Sequence, residues 1–586
     1  MVQMLVPTSP KRFRTVLAIA AFLAATGSAS AASPTPKFSE AKAFDVSPAV
    51  RDLKTIGPFK PFEPATEQVF EVRPERGPTI VDRGHSGDGA LQNDRASSLV
   101  RSLTNATTIL APLLTFEGLS NQDNFNLYGG RVNPPDPVGD VGPNHYVEMI
   151  NLAFAVYDKQ GNKLTGPTPI GALWAGFAVE DCTDPSGDPI VVYDQLEDRW
   201  ILSQFTTRGN NDPTLPFYNC VAISVTGDPT GAYYRYAFTT GFFFPDYPKY
   251  GVWTNSYLLT TREFGPTIEY GIGVYALEKN KMLAGNPNAR ALRFFLDSAV
   301  VPLNLIGDGL LPPDIDGTRR PQDHTPAPLV GTQDDGAGYG ATFDALNIWE
   351  LAVKWNATPE ASLTLATQLP VASFDSIFPC APTSRDCLPQ PGITDPAQYL
   401  DILSYRQRPT WRLAYRNIGK YEALVTNQSV EARPGVAGVR WYEIRRTEVD
   451  KQLQYVVYQQ GTFAPNDGIH RWMGSAAMDG QGNIALGYSV VNGIDVYPGI
   501  RFTGRLAGDP LGEMTLGEGT IVNGSGVQRT TNSRWGDYTS LNVDPTDDCT
   551  FWYVNEYYTL AGQLSSTAGW QTKIGTFKLP GCVARQ

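Results

Sequence analysis

The sequence predicts an all-β protein built from repeated four-stranded units, and three observations support this fold class. Glycine and proline are abundant, with 56 and 46 residues among 586, which favours many short strands joined by turns over long helices. Hydrophobic residues make up 42% of the chain and charged residues only 18%, enough apolar material for a large core. The third observation is an internal repeat, in which a polar residue opens a pair of short apolar stretches separated by a turn.

Four copies of the repeat begin with an aspartate. Their first residues are Asp136, Asp188, Asp246 and Asp537. Two further copies, at 412–426 and 472–488, have the same pattern without the leading aspartate. One hairpin turn recurs almost letter for letter, as Asp158-Lys-Gln-Gly-Asn162 and Asp479-Gly-Gln-Gly-Asn483.

Four antiparallel strands per unit, repeated around a ring, describe a single β-propeller. The predicted blades are 136–175, 184–240, 245–298, 326–375, 405–463, 468–530 and 534–582. Six blades are the alternative to seven, because the fourth blade is the most weakly patterned. The strand-like stretch Thr107–Phe116 is expected to complete the last blade and close the ring. A β-helix or a pair of β-sandwiches would also use many short strands, but neither explains why a polar residue opens each unit.

Residues 1–31 have the organisation of a secretory signal peptide. Basic residues are followed by an apolar stretch at 16–25 and by a small-residue cleavage site, Ala29-Ser30-Ala31. The apolar stretch is shorter than the ~20 residues that a membrane span requires, and no later stretch is long enough. We therefore expect a secreted protein, extracellular or periplasmic.

Residues 32–105 are rich in Pro, Ser, Glu and Arg and lack the apolar alternation of strands. They are predicted to be a mostly disordered tether or propeptide that is dispensable for folding, which leaves 106–586 for the propeller.

Six cysteines suit an exported protein, where disulfides are the default state. The simplest pairing joins sequence neighbours: Cys182 with Cys220, Cys380 with Cys387, and Cys549 with Cys582. The chain has no Cys-x-x-Cys pair, so a thiolate zinc site is not expected. The formal net charge of −12 argues against nucleic acid as a partner.

In a propeller the innermost strand of each blade lines the central axis, so the residues that open the blades should meet in a polar axial funnel. The catalytic candidates in this funnel are Asp188, Asp246, Asp537, His470 and Tyr538. The candidates for substrate binding are Arg412, Arg471, Arg534, Trp472, Trp535, His324, Lys249 and Asp136.

The residue types in the funnel indicate an extracellular, acidic polysaccharide or glycan as substrate. Neighbouring carboxylates push each other's pKa apart and can serve as acid and base, arginine binds carboxylate with two hydrogen bonds, and tryptophan can stack on a sugar ring. Hydrolysis would need two carboxylates beside the scissile bond. A β-elimination would instead use His470 or Tyr538 as base, with arginine neutralising a uronate.

Two other functional interpretations stay open. A non-catalytic propeller could bind glycan or protein at the cell surface through the same residues. Alternatively the aspartates could only cap turns and pair with arginines across blades, which would make the funnel purely structural.

No cofactor is predicted, and a monomer is expected. Ca²⁺ is considered because the segments 544–548 and 314–317 contain several aspartates, and carboxylate oxygens suit this ion. Neither segment matches an EF-hand loop, and Asx turns are the competing interpretation. Motifs of zinc proteases, serine hydrolases and phosphate-binding loops are absent from the sequence.

The blade openings and hairpin turns resemble those of secreted bacterial β-propellers, the group that includes sialidase-like and other propeller glycosidases and propeller polysaccharide lyases. The segment Ala477-Met-Asp479-Gly-Gln-Gly482 is similar to part of the sialidase box Ser-x-Asp-x-Gly-x-Thr-Trp. The full box is missing, so the resemblance implies a propeller fold and export, and it carries over no catalytic residue.

Overall fold

A computed structural model describes residues 34–53, 69–71, 84–93, 109–265, 270–322, 324–336, 338–402, 407–449 and 452–583. The expected signal peptide, 1–31, lies outside these residues. The described chain is an all-β propeller of seven four-stranded blades, as the repeat predicts. The first strand of each blade packs against the first strands of the blades on either side, which closes the ring.

Among the described residues, five strands precede the first blade: β1 (Lys37–Glu40), β2 (Ala43–Val46), β3 (Val69–Glu71), β4 (Leu114–Ser120) and β5 (Arg131–Asn133). Blade 1 contains β6 (Val138–Val141), β7 (His145–Ile150), β8 (Ala153–Asp158) and β9 (Lys163–Pro169). Blade 2 contains β10 (Ile190–Asp194), β11 (Arg199–Phe205), β12 (Phe217–Ser224) and β13 (Tyr233–Gly241). Blade 3 contains β14 (Phe244–Val252), β15 (Ser256–Phe264), β16 (Gly271–Glu278) and β17 (Arg290–Asp297).

Blade 4 contains β18 (Pro313–Asp316), β19 (Ala327–Gln333), β20 (Ala345–Lys354) and β21 (Glu360–Pro370). Blade 5 contains β22 (Thr410–Asn417), β23 (Glu422–Arg433), β24 (Val436–Val449) and β25 (Gln452–Phe463). Blade 6 contains β26 (His470–Met478), β27 (Ile484–Val491), β28 (Gly499–Arg505) and β29 (Glu518–Val522). Blade 7 contains β30 (Ser540–Val543), β31 (Thr550–Tyr558), β32 (Trp570–Lys578) and, as its outermost strand, β4.

The helices of the described chain are short and lie in connections. The α-helices are α1 (Asn121–Tyr128), α2 (Lys279–Leu283), α3 (Leu303–Ile306) and α4 (Leu560–Ser565). The 3₁₀ turns are Val50–Asp52, Ile170–Trp174, Glu180–Thr183, Arg208–Asn210 and Pro396–Gln398. No helix among the described residues is long and apolar enough to cross a membrane.

The inner strand of blade 4 was not predicted. The strand β18 packs against the inner strands β14 and β22 on either side, so it holds the inner position. It hydrogen-bonds in parallel to β22, while the bridge between Leu311 and Val330 links it to β19. The sequence of 314–317 suggests a Ca²⁺ site or an Asx turn, because aspartate is common in both. Both aspartates are buried in a strand, where an arginine compensates their charge.

The chain closes the ring by adding an N-terminal strand to the last blade, as predicted. The pairing of β4 with β32 is antiparallel, with Thr115 opposite Gly575. The closing strand begins at Leu114, somewhat later than the predicted stretch 107–116. Glu148 of blade 1 reinforces the closure, because its carboxylate accepts hydrogen bonds from the Leu119 N–H at 2.8 Å and the Thr572 hydroxyl at 2.5 Å.

Parts of the segment 32–105 pair with the blades, contrary to the expectation that this segment lacks strands. β1 adds to the outer edge of β17, and β2 adds to the outer edge of β13. Asp45 forms a two-fold ion pair with Arg235, with both N···O distances at 2.6 Å. Strands of four residues show too little alternation to detect in the sequence. They form because the outer edges of the two blades offer unpaired backbone groups.

The repeated hairpin turn has the same structure in both places. The carboxylates of Asp158 and Asp479 each accept hydrogen bonds from the backbone and the side chain of the asparagine four residues later. Gly161 and Gly482 adopt positive φ, 84° and 87°, as the turn chemistry requires. These hydrogen bonds explain why the sequence Asp-x-x-Gly-Asn recurs.

All three disulfides follow the predicted pairing of sequence neighbours. Cys182 pairs with Cys220, Cys380 with Cys387, and Cys549 with Cys582. The last bond links the loop before β31 to the chain end after β32, so it holds the final hairpin of the closing blade.

We expect loss of the Cys549–Cys582 bond to destabilise the protein more than loss of the Cys380–Cys387 bond. The sequence separations are 33 and 7 residues, and a cross-link removes more unfolded-state entropy as its loop lengthens. Replacing both cysteines by serine should lower the unfolding free energy by about 4 kcal/mol for the Cys549–Cys582 pair and by about 2 kcal/mol for the Cys380–Cys387 pair. Denaturant unfolding of both variants measures the difference, and equal losses would contradict the entropic account.

Candidate functional site

Part of the predicted rim forms one group of contacting residues from five blades, which we call the axial cluster: Asp136 and Asn151 of blade 1, Asp188 of blade 2, Tyr247 and Lys249 of blade 3, Arg408 of blade 5, and Arg534, Asp537, Tyr538 and Glu556 of blade 7. Asp136, Asp188, Arg408 and Tyr538 each lie two residues before the inner strand of their blade. Asp136 and Asp188 adopt positive φ, 48° and 41°, which turns the chain sharply into the strand. Aspartate tolerates this conformation better than most residues, which accounts for its place at these two openings.

An asparagine joins the first two aspartates of this axial cluster. The Asn151 side chain donates to Asp136 Oδ2 at 2.8 Å, and its Oδ1 accepts from the Asp188 N–H at 2.9 Å. Asp136 Oδ1 accepts from the Asp537 N–H at 2.7 Å. The hydrogen bonds of Asp136 and Asn151 therefore connect blade 1 with blades 2 and 7.

Lys249 lies between two aromatic rings of the same cluster. Its Nζ is 3.0 Å from the ring centroid of Tyr247 and 3.5 Å from that of Tyr538, and the Arg408 guanidinium lies 3.9 Å from the Tyr247 ring. The Tyr538 hydroxyl is 3.2 Å from Asp188 Oδ2. Burial, with a further contribution from the Arg408 charge, lowers the pKa of Lys249 well below its usual range.

The pKa values of two carboxyl groups in the cluster shift in the opposite direction. Burial raises the pKa of Asp136 well above its usual range, and the nearby charges of Asp537 and Asp188 add to this effect. Burial likewise raises the pKa of Glu556, whose Oε1 accepts from the Gly536 N–H. Asp537 is instead ion-paired with Arg534 at 2.7 Å. The cluster therefore contains acids and a base whose pKa values approach each other, a common property of catalytic sites.

A second group of charges lies further along the inner strands, and we call it the inner cluster. Arg412 of β22 donates to Asp314 Oδ2 at 3.0 Å and to both carboxylate oxygens of Asp316 at 2.6 and 2.9 Å. Asp140 of β6 accepts from Asn542 at 2.6 Å. Burial raises the pKa of Asp140 to about 8 and that of Asp314 to about 6. Arg412, predicted to bind substrate, thus pairs with two buried aspartates.

A pocket opens beside the axial cluster. It has a volume of about 230 Å³ including its mouth, and its lining residues come from blades 3, 4 and 5. The lining residues are Tyr247, Lys249, Thr260, Thr261, Arg262, Gly309, Leu310, Leu311 and Pro409. Arg262 forms a buried ion pair with Asp308 at 3.0 Å. Lys249 belongs both to the pocket and to the axial cluster, so it connects the two.

Several predicted funnel residues are used elsewhere. Arg471 pairs within blade 6 with Asp467 and Glu518, at 2.7 and 2.8 Å. Trp472 and Trp535 are fully buried and pack on each other with ring centroids 5.2 Å apart, so neither presents a face to a sugar. They pack together because one Arg-Trp pair lies at the start of β26 and the other precedes β30, the neighbouring inner strand, and both rings turn into the core.

The remaining candidates have the following positions and contacts. His470 accepts a hydrogen bond from the Ala437 N–H at 3.3 Å and packs on Phe378. His324 is exposed and lines a separate pocket between blades 3 and 4. Asp246 lies in β14 opposite Arg262 of β15.

Sequence analysis missed Asn151 and Glu556. Asn151 follows an apolar strand and carries no signal, because asparagine is common in turns. Glu556 stands within the apolar stretch 550–558, and a charged residue there is a detectable sign of a buried polar site. Arg408 opens a predicted blade, but it was not selected as a site residue.

Comparison with known proteins defines no family. No family model matches the sequence, and no curated protein matches it. One similar solved structure is a protein of unknown function from Dyadobacter fermentans, at 9% identity and a TM-score of 0.24, which covers 58% of this chain and 95% of that chain. Another is the α-L-arabinofuranosidase Arb93A from Fusarium graminearum, at 9% identity and a TM-score of 0.23, covering 68% and 95%.

A third is the catalytic domain of a GH62 α-L-arabinofuranosidase from Coprinopsis cinerea, at 8% identity and a TM-score of 0.20, covering 57% of this chain and 90% of that chain. Similarities at this level assign no activity to the chain. The class of protein is therefore defined by its own structure, a seven-bladed β-propeller with a buried, charged axial cluster.

We expect His470 to make the protein acid-sensitive. Burial, helped by the charge of Arg471, lowers the pKa of His470 to about 4. The unfolded chain, with a histidine pKa of ~6.5, takes up the proton first as pH falls, so stability should decrease between pH ~6.5 and ~4. Between pH 7.5 and 4.5, the unfolding free energy of the unsubstituted protein should fall by about 2–3 kcal/mol more than that of His470→Gln.

Denaturant unfolding across this pH range provides the measurement. The matched control is His324→Gln, which makes the same substitution at an exposed position. A His470→Gln profile parallel to that of the unsubstituted protein would refute the prediction.

Proposed function

We propose that this protein is a secreted β-propeller that binds an acidic extracellular glycan at the pocket beside Lys249 and cleaves it by β-elimination. The observation that carries the proposal is the pocket lining. It combines a lysine of lowered pKa, a tyrosine and an arginine, and no carboxylate is among its described residues. The predicted signal peptide and the three disulfides support export.

The absence of an acid from the described lining favours elimination over hydrolysis. Glycoside hydrolysis uses two carboxyl groups that flank the scissile bond. Elimination needs a base that removes the proton next to the uronate carboxylate, and cations that stabilise the negative charge that develops there. Lys249 suits the base, because a buried lysine of lowered pKa is neutral more often than an exposed one.

The neighbours of Lys249 suit the other roles. Arg262 lines the pocket. Arg408 lies against Tyr247, one of the two rings that flank Lys249. Either guanidinium suits the substrate carboxylate, since its planar fork matches that group. The Tyr247 phenol would protonate the leaving glycosidic oxygen as the carbon–oxygen bond breaks, leaving a carbon–carbon double bond conjugated with the carboxylate.

The size of the pocket limits what can enter. The volume of about 230 Å³ includes open solvent at the mouth, and the centre of a water-sized sphere can reach only about 10 Å³ of it, far less than the ~300–1,000 Å³ of most ligand pockets. Binding therefore requires the side chains around Lys249 to move apart so that the carboxylate-bearing edge of one sugar residue can enter, with the rest of the polymer outside.

A second candidate function is glycan binding without turnover. It is favoured by the low exposure of the axial carboxylates, 2% for Asp136 and 7% for Asp188, and by the hydrogen bonds that these groups already make within the cluster. In this case the charged groups would rigidify the rim, and only the pocket would contact the ligand.

Incubation with a panel of uronate-containing and neutral polysaccharides tests the proposal. We expect ultraviolet absorbance from the unsaturated product only with uronate polymers. Lys249→Met should lower the rate at least ~10²-fold, the usual contribution of an acid or base, while the protein stays folded. Lys159→Met is the control, because Lys159 is also largely buried but lies on the outer hairpin of blade 1, where it is ion-paired with Asp544 at 2.6 Å.

Each outcome has a defined meaning. Binding of uronate polymers without absorbance would establish the second candidate function instead. Absence of both binding and absorbance, or full activity in folded Lys249→Met, would overturn the proposed site.

A further inference from the structure

A histidine and two carboxylates from separate parts of the chain converge at the outer side of blades 4 and 5. His85 lies in the segment 84–93, Asp375 in the connection after β21, and Glu431 in β23. One nitrogen or oxygen atom from each residue lies within 4.8 Å of those of the other two. This cluster shares no residue with the axial cluster or with the pocket beside Lys249.

The ring nitrogen of His85 is buried without a hydrogen bond. Its Nδ1 lies 3.2 Å from Asp375 Oδ2 and 3.9 Å from Glu431 Oε2, but no donor–acceptor pair there has hydrogen-bond geometry. Asp375 instead accepts from the backbone N–H and the hydroxyl of Ser86, at 2.7 and 3.0 Å. The nitrogen therefore faces carboxylate oxygens whose hydrogen bonds come from elsewhere.

More buried carboxylates surround this point without a matching positive charge. Asp334 and Asp375 flank Gly336, where a side-chain carbon would lie 3.1 Å from an oxygen of one and 3.2 Å from an oxygen of the other. Asp334, Asp344 and Asp375 are 0%, 6% and 5% exposed. Within the described part of the chain, no lysine or arginine forms an ion pair with any of these three. Buried carboxylates are stable only when they are paired, protonated or bound to a metal.

We propose that His85, Asp375 and Glu431 bind one divalent transition-metal ion, with Zn²⁺ as the preferred ion. One imidazole nitrogen with two carboxylate oxygens suits Zn²⁺ better than Ca²⁺ or Mg²⁺, which take oxygen ligands. Ligand atoms about 2.0–2.2 Å from a tetrahedral Zn²⁺ are roughly 3.3 Å from one another, close to the observed separations of 3.2 and 3.9 Å. Water would take the fourth position, since His85 is 17% exposed.

The ion would fasten the segment 84–93 to the propeller. That segment has other attachments as well, among them the ion pair of Asp88 with Arg440 at 2.8 Å and the backbone bridge of Leu91 to Thr462. Asp375 and Glu431 belong to the propeller, whereas His85 belongs to the N-terminal segment. Metal binding would therefore stabilise a long-range contact, and its loss would loosen the segment without opening the ring.

The test begins with the full mature chain, stripped with a chelator and titrated with Zn²⁺ or Ca²⁺ by calorimetry. We expect one Zn²⁺ per chain, a rise in melting temperature on binding, and slower amide hydrogen exchange in a peptide covering 84–93. Ca²⁺ should produce none of these effects at the same concentration. Purification from zinc-containing medium should give the metal at one equivalent by elemental analysis.

Two variants place the ion at the cluster. His85→Gln and Glu431→Gln should each weaken Zn²⁺ binding at least ~100-fold, since even residues behind the ligands contribute ~10–100-fold. The controls are His324→Gln and Glu180→Gln, two exposed residues elsewhere that should leave binding unchanged.

The outcomes separate this proposal from the proposed glycan function, because no readout involves a polysaccharide. If the unsubstituted chain binds no Zn²⁺, the proposal is wrong. Binding that persists unchanged in folded His85→Gln would place the ion elsewhere and would also overturn it.

Discussion

Closure of the ring by β4 is the constraint on which the axial cluster depends. A chain of blades left open would let the inner strands splay, and charged residues at their starts could reach water. With β4 paired to β32, and with Glu148 linking blades 1 and 7, every inner strand has a neighbour on each side. The groups that open the blades must then face one another, so each charge needs a partner or a shifted pKa.

The axial charges solve this problem in two different ways. In the inner cluster, Arg412 holds Asp314 and Asp316 with several hydrogen bonds, which is the arrangement of a structural ion pair. In the axial cluster, the pKa of Asp136 is raised and that of Lys249 is lowered, so proton transfer between such groups costs less than in water. The first arrangement stabilises the ring, and the second is the one that suits acid–base chemistry.

Sequence analysis predicted the features that repeat, because repetition reveals them. The blades, the closing strand, the Asp-x-x-Gly-Asn turns and the neighbouring cysteine pairs each follow a local rule. The rim also followed from the repeat, since equivalent positions must share one end of the axis. Asp136, Asp188, Asp537, Tyr538, Lys249 and Arg534 do meet there.

What the sequence could not show is the direction of each side chain. Arg471 and Arg534 occupy the same place in the same Arg-Trp pair, yet one is bound to Glu518 of its own blade and the other to Asp537 at the rim. The choice depends on which carboxylate lies across the sheet, a long-range contact that no local pattern encodes. The inner strand of blade 4 was missed for a similar reason. The charge of its buried aspartates is compensated by Arg412, which lies far away in the sequence.

The two short strands β1 and β2 have a consequence for how the molecule meets its own copies. The outer edge of a blade exposes unpaired N–H and C=O groups, which can template pairing with another chain. The outer strand of blade 2, β13, has nine residues, and that of blade 3, β17, has eight. Each is covered by a strand of four residues, β2 on β13 and β1 on β17. The new edges are short and carry charged residues, Lys37 and Glu40 in β1 and Asp45 in β2. They therefore offer few unpaired backbone groups to a second molecule. The N-terminal segment thus discourages edge-to-edge aggregation on one side of the ring.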